Sequence, residues 1–362
     1  MTLTKSSSPR RTAPAGLTDT LLADIASNAH RIDTGETTTR QALTDLAAAG
    51  LVDIGAPSGR GTVLEQAAVI EALAEKSLSV AFSVWCHRMT LEYLSIVDGN
   101  GLEAMVEDLR SGVQVGSSAM ADAFRYSAGI GELPLVLHRD SAGQLRLSGR
   151  LPWASNLFDD AIVFTAAQGP SGAPVVVAFP LAAPGVTIGP ELELLALRGT
   201  ASTSVTLDNV VLPDDHVLTT DFSAFIRQAR PVLSLLQASF CLGLAGESYR
   251  HTKTQLTGVN EVFRADLTQF GERLKQAQEQ FVLLASCIGT AEAPAGQAVL
   301  ALRLEAGLLA KELTRLETMT AGSRAFVVTS DVNRRYREAT FIPLQAPSEA
   351  QLRAELAHKP GV

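Results

Sequence analysis

The sequence predicts an α+β fold in which a β domain lies between two helical regions. Residues 144–213 alternate apolar and polar side chains in short runs rich in Val, Ile, Thr and Phe, and Gly, Pro, Asn and Asp interrupt these runs. This pattern is typical of strands joined by turns. On both sides, segments rich in Ala, Leu, Glu and Arg repeat their apolar residues at helical spacing. We therefore expect an N-terminal helical domain, a central β-barrel-like domain and a C-terminal four-helix bundle.

The changes in pattern give the expected domain boundaries. We predict a disordered lead-in over residues 1–16, an N-terminal helical domain over 17–112, a central β domain over 113–220 and a C-terminal helical bundle over 221–362. The lead-in is basic and rich in Ser and Pro, and no apolar segment follows it. We therefore do not expect a secretion signal.

Capping residues and apolar spacing define the N-terminal helices. Two helices are expected between Thr18 and Ala49, with caps at Thr18–Asp19 and Thr37–Thr39, and Gly50 should end the second. A third is predicted over Val63–Lys76 because a Val/Ile/Leu/Ala stripe runs along it. The strongly apolar SVAFSVWCHRMTLEYLSIV and the amphipathic GNGLEAMVEDLRSG predict two more.

The β domain and the C-terminal helices follow from the same two periodicities. Strands are predicted at Leu133–His138, Leu145–Ser148, Ala161–Ala166, Val175–Phe179 and Val205–Val211. Helices are predicted at Phe222–Lys253, Arg264–Ala285 and Val299–Gly322, with a last one starting near Pro347. Gly243 and Gly246 should let another helix approach closely. Together with the amphipathic stripes they suggest a homodimer or homotetramer.

The composition excludes several classes of function. A net charge of −8 and a pI near 5.4 argue against a general nucleic-acid or anionic-membrane surface. The three cysteines are widely spaced, which suits a reducing compartment. The sequence contains no run of 18 apolar residues, so we expect no membrane-spanning helix. The six histidines are scattered, so no metal site is expected, and no dinucleotide-binding glycine fingerprint or phosphate-binding loop is present. We predict a cytoplasmic protein.

Four segments resemble motifs of the acyl-CoA dehydrogenase superfamily, in the same order. They are LTDLAAAGLVDIGAPSGRG from residue 43, SGRLPWASN from 148, LALRGTASTSVTLDNVVLP from 195 and VNRRYREATFIPLQAPSEAQL from 332. The resemblance covers nearly the whole chain. It implies the helix–β–helix architecture described above, with a flavin between the β domain and the C-terminal bundle.

The resemblance also implies a set of cofactor-binding residues, for FAD or alternatively FMN. Trp153 would pack beside the flavin ring, and Ser155 and Asn156 would meet its polar edge. The remaining positions that match flavin-contacting motifs are Met120, Ala121, Arg198, Ser202, Gly322, Pro347 and Glu349. Five of these residues also have a plain structural interpretation: Trp153 as a core aromatic residue, Ser155 and Asn156 as turn residues, and Arg198 and Ser202 as the surface of a hairpin.

The resemblance breaks down at the catalytic position. In that family a glutamate removes the α-proton of an acyl thioester, and Gln345 stands there in this sequence. An amide cannot act as a general base, and the position of the base in other members matches Leu233. His87 lies in a helix that lines the family's substrate cavity, so it is either an acid–base residue or a buried core histidine. Gln345 is either a donor into the pocket or a turn residue.

One further departure from the family bears on the cofactor. The family's adenine-binding Arg-x-x-Phe-Gly motif is reduced to Phe270-Gly271. Near the C-terminus, Arg334, Arg335 and Arg337 are expected on a solvated or inter-subunit charged face.

Three functions therefore stay open. The first is a flavin-dependent oxidoreductase acting on an acyl thioester or a related small substrate, with an electron-transfer flavoprotein as a possible partner. The second is a two-component flavin monooxygenase that receives reduced flavin from a partner reductase. The third is a flavin-free, non-catalytic relative that serves as a binding subunit.

Overall fold

The computed structural model describes residues 14, 16–56, 59–97, 101–290 and 296–357. Almost all of the predicted lead-in and the last five residues therefore lie outside the described part of the chain. Within that part, five helices come first: α1 (Asp19–Asp33), α2 (Arg40–Ala48), α3 (Val63–Lys76), α4 (Leu78–Ile96) and α5 (Glu103–Arg110).

The middle of the chain forms a sheet with one short helix. In chain order its elements are β1 (Val115–Ser118), α6 (Ala121–Ser127), β2 (Leu135–Arg139), β3 (Leu145–Ala154), β4 (Ala161–Gln168), β5 (Pro174–Pro180), β6 (Val186–Ile188), β7 (Thr203–Leu212) and β8 (Val217–Thr219). The strand order is β6-β7-β3-β2-β4-β5-β8, and β1 pairs in parallel with β4.

The C-terminal part is again helical. It comprises α7 (Phe222–Thr254), α8 (Arg264–Ser286), α9 (Gly296–Ala321), α10 (Asp331–Ala339) and α11 (Glu349–Ala357). The three long helices pack on one another, and the short α10 and α11 pack on α9. The α+β architecture predicted from the sequence is confirmed, while the domain boundaries stay a prediction.

Local side-chain hydrogen bonds account for where the N-terminal helices begin. The Thr18 hydroxyl accepts a hydrogen bond from Leu21 N at 3.2 Å, which caps α1 as predicted. Thr62 and Glu65 form a reciprocal capping box at the start of α3. The α2 cap is weaker than expected, because the Thr39 side chain accepts no capping bond.

The sheet separates two apolar cores. One core lies within the sheet, and the other joins the N-terminal helices, the C-terminal helices and the outer face of β4 and β5. Val163 faces the first core, whereas Ile162 and Phe164 face the second. Because β4 is covered on both faces, its sequence AIVFTAA is apolar throughout instead of alternating.

The central helix α7 is the scaffold of the helical core. A Cβ at Gly243 would lie 2.3 Å from the carbonyl oxygen of Glu71 in α3. Only glycine permits this close approach, and the two helices belong to the same chain and not to two subunits. A Cβ at Gly246 would have no neighbouring atom closer than 3.5 Å, so this position does not require glycine. α7 has the length and apolarity of a membrane span, but 89% of that apolar window is buried inside the protein. We therefore interpret it as a core helix.

Candidate functional site

A cavity of about 830 Å³ lies where the end of β3 meets α4, α7 and the segment between α10 and α11. This volume is in the range of small-molecule sites. Most of its surface is apolar, with contributions from Phe82, Trp85, Met120, Phe124, Ile130, Pro152, Trp153, Leu194, Leu195, Leu197, Leu233, Phe341 and Leu344.

The wall on the sheet side presents an aromatic face and a row of hydroxyl groups. Trp153 is 55% exposed although it is a large aromatic residue, and it faces the cavity from the end of β3. Beside it, the Ser155 and Ser202 hydroxyls lie 2.7 Å apart, and Ser202 lies 2.8 Å from the Thr200 hydroxyl. Thr200 in turn donates to the carbonyl of Leu197 at 2.7 Å.

The direction of this hydrogen-bond chain follows from counting hydrogens. Each hydroxyl has one hydrogen, and three contacts must be made. Since Thr200 donates to Leu197, Ser202 must donate to Thr200 and Ser155 must donate to Ser202. The Ser155 oxygen therefore has a lone pair left for a ligand that carries an N–H or O–H group.

The backbone around these hydroxyls is held in an uncommon conformation. Three residues have φ between 46° and 60°, in the left-handed region that is unfavourable for residues other than glycine: Asn156, Leu197 and Ala201. Asn156 N donates to Thr200 O at 2.9 Å, and its side-chain amide donates to Ser83 O and Gly116 O. Such backbone strain often clusters at ligand sites, and here these hydrogen bonds stabilise it.

The wall on the helix side is a cluster of aromatic rings. Phe82 stacks on Trp85 with ring centroids 5.5 Å apart and meets Phe341 edge-on at 5.0 Å. Trp85 Nε1 donates to the carbonyl of Leu233 at 3.3 Å, which satisfies its only polar group. This part of the wall therefore presents apolar aromatic surface, which suits the flat face of an aromatic ligand.

One polar group on this wall is unpaired. Gln345 lines the cavity and is 5% exposed, and its Oε1 accepts a hydrogen bond from Arg303 Nη2 at 3.2 Å. Since an arginine can only donate, this contact establishes which end of the amide is oxygen. The other end, Nε2, has no hydrogen-bond partner among the described residues.

Three charged side chains also line the cavity. They are Asp122, Arg125 and Arg337. Asp122 lies 3.6 Å from Arg125, and burial raises the pKa of its carboxyl above the ordinary value. Arg337 pairs with Asp33 and donates to Leu195 O. Within the described ranges, no group of three or more His, Cys, Asp or Glu side chains could hold a metal ion.

The structure brings half of the predicted site residues together. Six of them line the cavity: Met120, Ala121, Trp153, Ser155, Ser202 and Gln345. Leu233, the position matched to an alternative base, lines it too. The other predicted residues are outside the lining: His87, Asn156, Arg198, Gly322, Pro347 and Glu349.

These outlying residues have other partners. Arg198 Nε donates to Leu194 O at 2.9 Å, and Glu349 accepts from Lys311 Nζ at 2.8 Å. Gly322 follows the C-terminus of α9 with φ of 62°. Their predicted roles in cofactor binding stay a prediction, as do those of Asn156 and Pro347.

His87 is a buried connector between three elements. Its Nδ1 accepts from Gly116 N at 2.9 Å, so its Nε2 carries the hydrogen and donates to Leu109 O at 3.0 Å. Burial lowers the pKa of His87 to about 4, aided by the nearby Arg40 and Arg88 and opposed by the bond to Leu109. Both nitrogens are thus used by the backbone, as expected for a core histidine.

Sequence reasoning missed Phe82 and Trp85, although it selected their helix. Their spacing of three residues puts them on one face of α4, and His87 points elsewhere. Nearly every residue of α4 is buried, so no polar stripe marks which face meets the cavity. Arg303 was also missed. The sequence feature that could have revealed it is the position of this arginine within an apolar stripe of α9, formed by Val299, Ala306 and Ala310.

Comparison with known proteins supports the same fold. No protein-family model matches the sequence, and no curated protein matches it. Among solved structures, butyryl-CoA dehydrogenase from Megasphaera elsdenii superposes with a TM-score of 0.83 at 14% identity, over 94% of this chain and 98% of that one.

Two other enzymes are similar in fold, with slightly lower TM-scores. Nitrososynthase from Micromonospora carbonacea var. africana has a TM-score of 0.80 at 19% identity, over 96% of this chain and 97% of that one. Dibenzothiophene monooxygenase from Paenibacillus sp. A11-2 has a TM-score of 0.78 at 17% identity, over 93% and 94%. The chain therefore has the acyl-CoA dehydrogenase fold, which confirms the resemblance at the level of architecture.

Proposed function

We propose that the cavity binds the isoalloxazine ring of a flavin, FAD or FMN, and that the protein is a flavin-dependent oxidoreductase. The lining of the cavity supports this proposal, because Trp153 and Trp85 offer aromatic faces and Ser155 offers a polar group. The lone pair on Ser155 suits an N–H group, which the flavin ring carries. The similar dibenzothiophene monooxygenase has been crystallised with FMN and indole.

Within this class we favour a monooxygenase over an acyl-CoA dehydrogenase. The observation that carries this choice is the pairing of Gln345 with Arg303 in the cavity wall. A dehydrogenase needs a base to remove the α-proton. An amide held by an arginine cannot serve as that base, and the position matched to the base of other members is the apolar Leu233. When bound, a reduced flavin from a partner reductase would supply two electrons, so that one atom of O₂ enters the substrate and the other leaves as water.

The chain's own residues would bind, orient and shield. Trp153 would cover one face of the ring, and Met120 and Ala121 also line the cavity. Phe82, Trp85 and Phe341 would exclude water from the substrate, which an oxygenating site requires. No proton acceptor is needed for these roles.

Dehydrogenation of an acyl thioester is the alternative, and one residue favours it. Asp122 is a carboxylate in the cavity lining with a raised pKa, as a general base requires. Its side chain is 21% exposed and lies near Arg125. If Asp122 is a base, an acyl thioester should bleach the flavin without oxygen, and Asp122→Asn should abolish that bleaching.

Flavin titration of the purified chain tests the proposal. We expect saturable binding of FAD or FMN, observed by absorbance and by quenching of tryptophan fluorescence. Trp153→Ala should weaken the affinity about tenfold because it removes an aromatic face. Val136→Ala, a matched truncation at an exposed position of β2, should leave it unchanged. Oxygen uptake with supplied reduced flavin should then exceed any anaerobic bleaching by acyl thioesters. A chain that takes up neither flavin would be a binding subunit, and the proposal would be wrong.

A further inference from the structure

Arg303 is a buried cation without a buried anion. It is 2% exposed, and none of the carboxylates in the described ranges lies within salt-bridge distance of it. Its guanidinium instead donates to three uncharged oxygens, at distances of 3.2–3.3 Å: Gln237 Oε1, Gln345 Oε1 and Ile342 O. It also lies over the Phe240 ring, 6.0 Å from the centroid.

The surrounding residues hold this guanidinium in place. A Cβ at Gly307, one turn further along α9, would lie 2.8 Å from Arg303 Nη1, so glycine makes room for the side chain. Gln237 is fully buried, and its Nε2 donates to Ala346 O at 2.9 Å, which leaves its oxygen for Arg303. The cation is therefore part of a built site and is not a chance burial.

The charge acts on the cavity through the Gln345 amide. Arg303 fixes Oε1, and the amide group then presents Nε2–H on the side away from the guanidinium. This donor is unpaired in the described structure, although Gln345 is almost fully buried. An unsatisfied buried donor is costly unless a ligand completes it. A positive charge behind the donor, in a region of low dielectric, favours a ligand atom with negative charge.

We infer that the buried end of the cavity binds an anionic oxygen of the substrate, a carboxylate or a phenolate, at Gln345 Nε2, with Arg303 providing the charge. This inference names the substrate class of the proposed function and rests on that function for its catalytic meaning. Gln345 is then a substrate-binding residue, and Arg303 is a positioning residue that acts through it.

The test compares two ligands of nearly the same shape, one anionic and one neutral. Phenylacetate and phenylacetamide are titrated into the flavin-free chain by calorimetry and by tryptophan fluorescence. The chain has two tryptophans, and both line the cavity, so their fluorescence reports on its occupancy. We expect phenylacetate to bind about tenfold more tightly than the amide.

Variants separate the two residues from general effects. Gln345→Leu and Arg303→Met should each remove the preference for phenylacetate, whereas Arg303→Lys should retain part of it. Gln66→Leu is the control for Gln345, since Gln66 is also buried with an unpaired amide oxygen but lies in α3, away from the cavity. Arg273→Met is the control for loss of a positive charge, as Arg273 pairs with Glu305 and Glu312 outside the cavity.

The outcomes are distinguishable from those of the flavin titration. Equal binding of the two ligands, or a preference that survives in Gln345→Leu and Arg303→Met, would overturn the inference whether or not flavin binds. A charge preference in a chain that takes up no flavin would keep the anion subsite and remove the proposed oxidoreductase. If Arg303→Met fails to fold, Gln345→Leu alone decides the result.

Discussion

Arg335 and Arg303 are both buried, but the protein treats their charges in opposite ways. Arg335 in α10 is 3% exposed and forms a two-pronged ion pair with Glu317 of α9, whose side chain is fully buried. Arg303, in the same helix as Glu317, donates to amide and carbonyl oxygens and to no carboxylate of the described residues. The chain therefore provides a buried carboxylate for Arg335, whose role is to stabilise the packing of α10 on α9. Beside the cavity, the positive charge of Arg303 has no carboxylate partner among the described residues, so it can act on a bound ligand through Gln345.

A third solution appears at His87. This ring is buried between α4, α5 and β1, and it avoids charge altogether, since burial keeps its pKa near 4. Pairing, neutralisation and an uncompensated charge thus occur in one protein. Substitutions at these three side chains should therefore change the stability of the protein in different ways.

The largest effect should follow from breaking the Arg335 pair. Glu317→Leu leaves a guanidinium buried without its carboxylate, and such a loss costs about 3–5 kcal/mol of the free energy of unfolding. Denaturant unfolding monitored by circular dichroism measures this value. The double variant Glu317→Leu/Arg335→Met should recover most of the loss, because replacing both charges with apolar groups is often close to neutral.

The matched comparison is Arg303→Met, which removes a buried cation that has no carboxylate partner. Here the change should cost about 1–3 kcal/mol, because the desolvation penalty of the charge disappears while the oxygens that accepted its hydrogen bonds lose their donor. If Arg303→Met and Glu317→Leu were equally destabilising, the distinction between the paired and the unpaired arginine would be wrong.

The acid stability of the protein should depend on His87. Its folded pKa of about 4 lies below the ordinary value of 6.5, so the unfolded chain binds the additional proton first as the pH falls. The stability that His87 contributes is therefore fully present above pH 6.5 and is lost progressively down to pH 4. A lowering of the pKa from 6.5 to about 4 corresponds to about 3 kcal/mol.

Denaturant unfolding across this pH range gives the measurement. His87→Gln should flatten the slope of stability against pH, whatever its effect on the absolute value. His138→Gln, at an exposed position of β2, serves as the control and should leave the slope as it is. An unchanged slope in His87→Gln would mean that the histidine is not kept neutral by burial.

The two buried arginines of α10 differ in how far the sequence reveals their partners. Arg334 and Arg335 were expected on a charged surface, and that prediction was wrong: both are 3% exposed. Arg334 pairs with Glu338 four residues later, a spacing visible in the sequence. The partner of Arg335 comes from α9, eighteen residues earlier. Only the packing of two helices brings that carboxylate opposite the guanidinium.

The helices were more predictable than the sheet. α3 begins and ends at the predicted residues because its caps are local in sequence. β3 was expected to end at Ser148, before Gly149 and Pro152, which are unfavourable inside a strand. Instead it continues to Ala154, and register shifts with β7 on either side of Gly149–Leu151 accommodate these residues. That extension carries Trp153 to the cavity.

The candidate site was predictable where a motif marks it and not where packing creates it. The motif around Trp153 and Ser155 identified the sheet wall. The anion subsite was hidden, because Arg303 lies about forty residues before Gln345 and belongs to no motif. Only the fold brings the two side chains together.

The smallest expected effect tests Arg303 directly, by giving it the carboxylate it lacks. Gln345→Glu places a carboxylate oxygen where Oε1 now accepts from the guanidinium at 3.2 Å. The new ion pair should offset the cost of burying the carboxylate, so the free energy of unfolding at neutral pH should change by less than about 1 kcal/mol. Gln66→Glu is the matched control. Its carboxylate would be buried where Oε1 receives no hydrogen bond, so it should cost about 2–4 kcal/mol.

The pH dependence of the two variants should then have opposite signs. Arg303 lowers the pKa of the carboxyl in Gln345→Glu, so the stability gained from the pair is present at neutral pH and lost on acidification. Burial raises the pKa in Gln66→Glu, so that variant should be most stable in acid and lose stability as the pH rises above about 4.3. Because the lowered pKa also weakens the new carboxylate as a base, Gln345→Glu should not bleach flavin with acyl thioesters, and it should no longer prefer phenylacetate. Anaerobic bleaching by this variant would show that Arg303 leaves the carboxylate basic, and the contrast between the two buried arginines would lose its functional meaning.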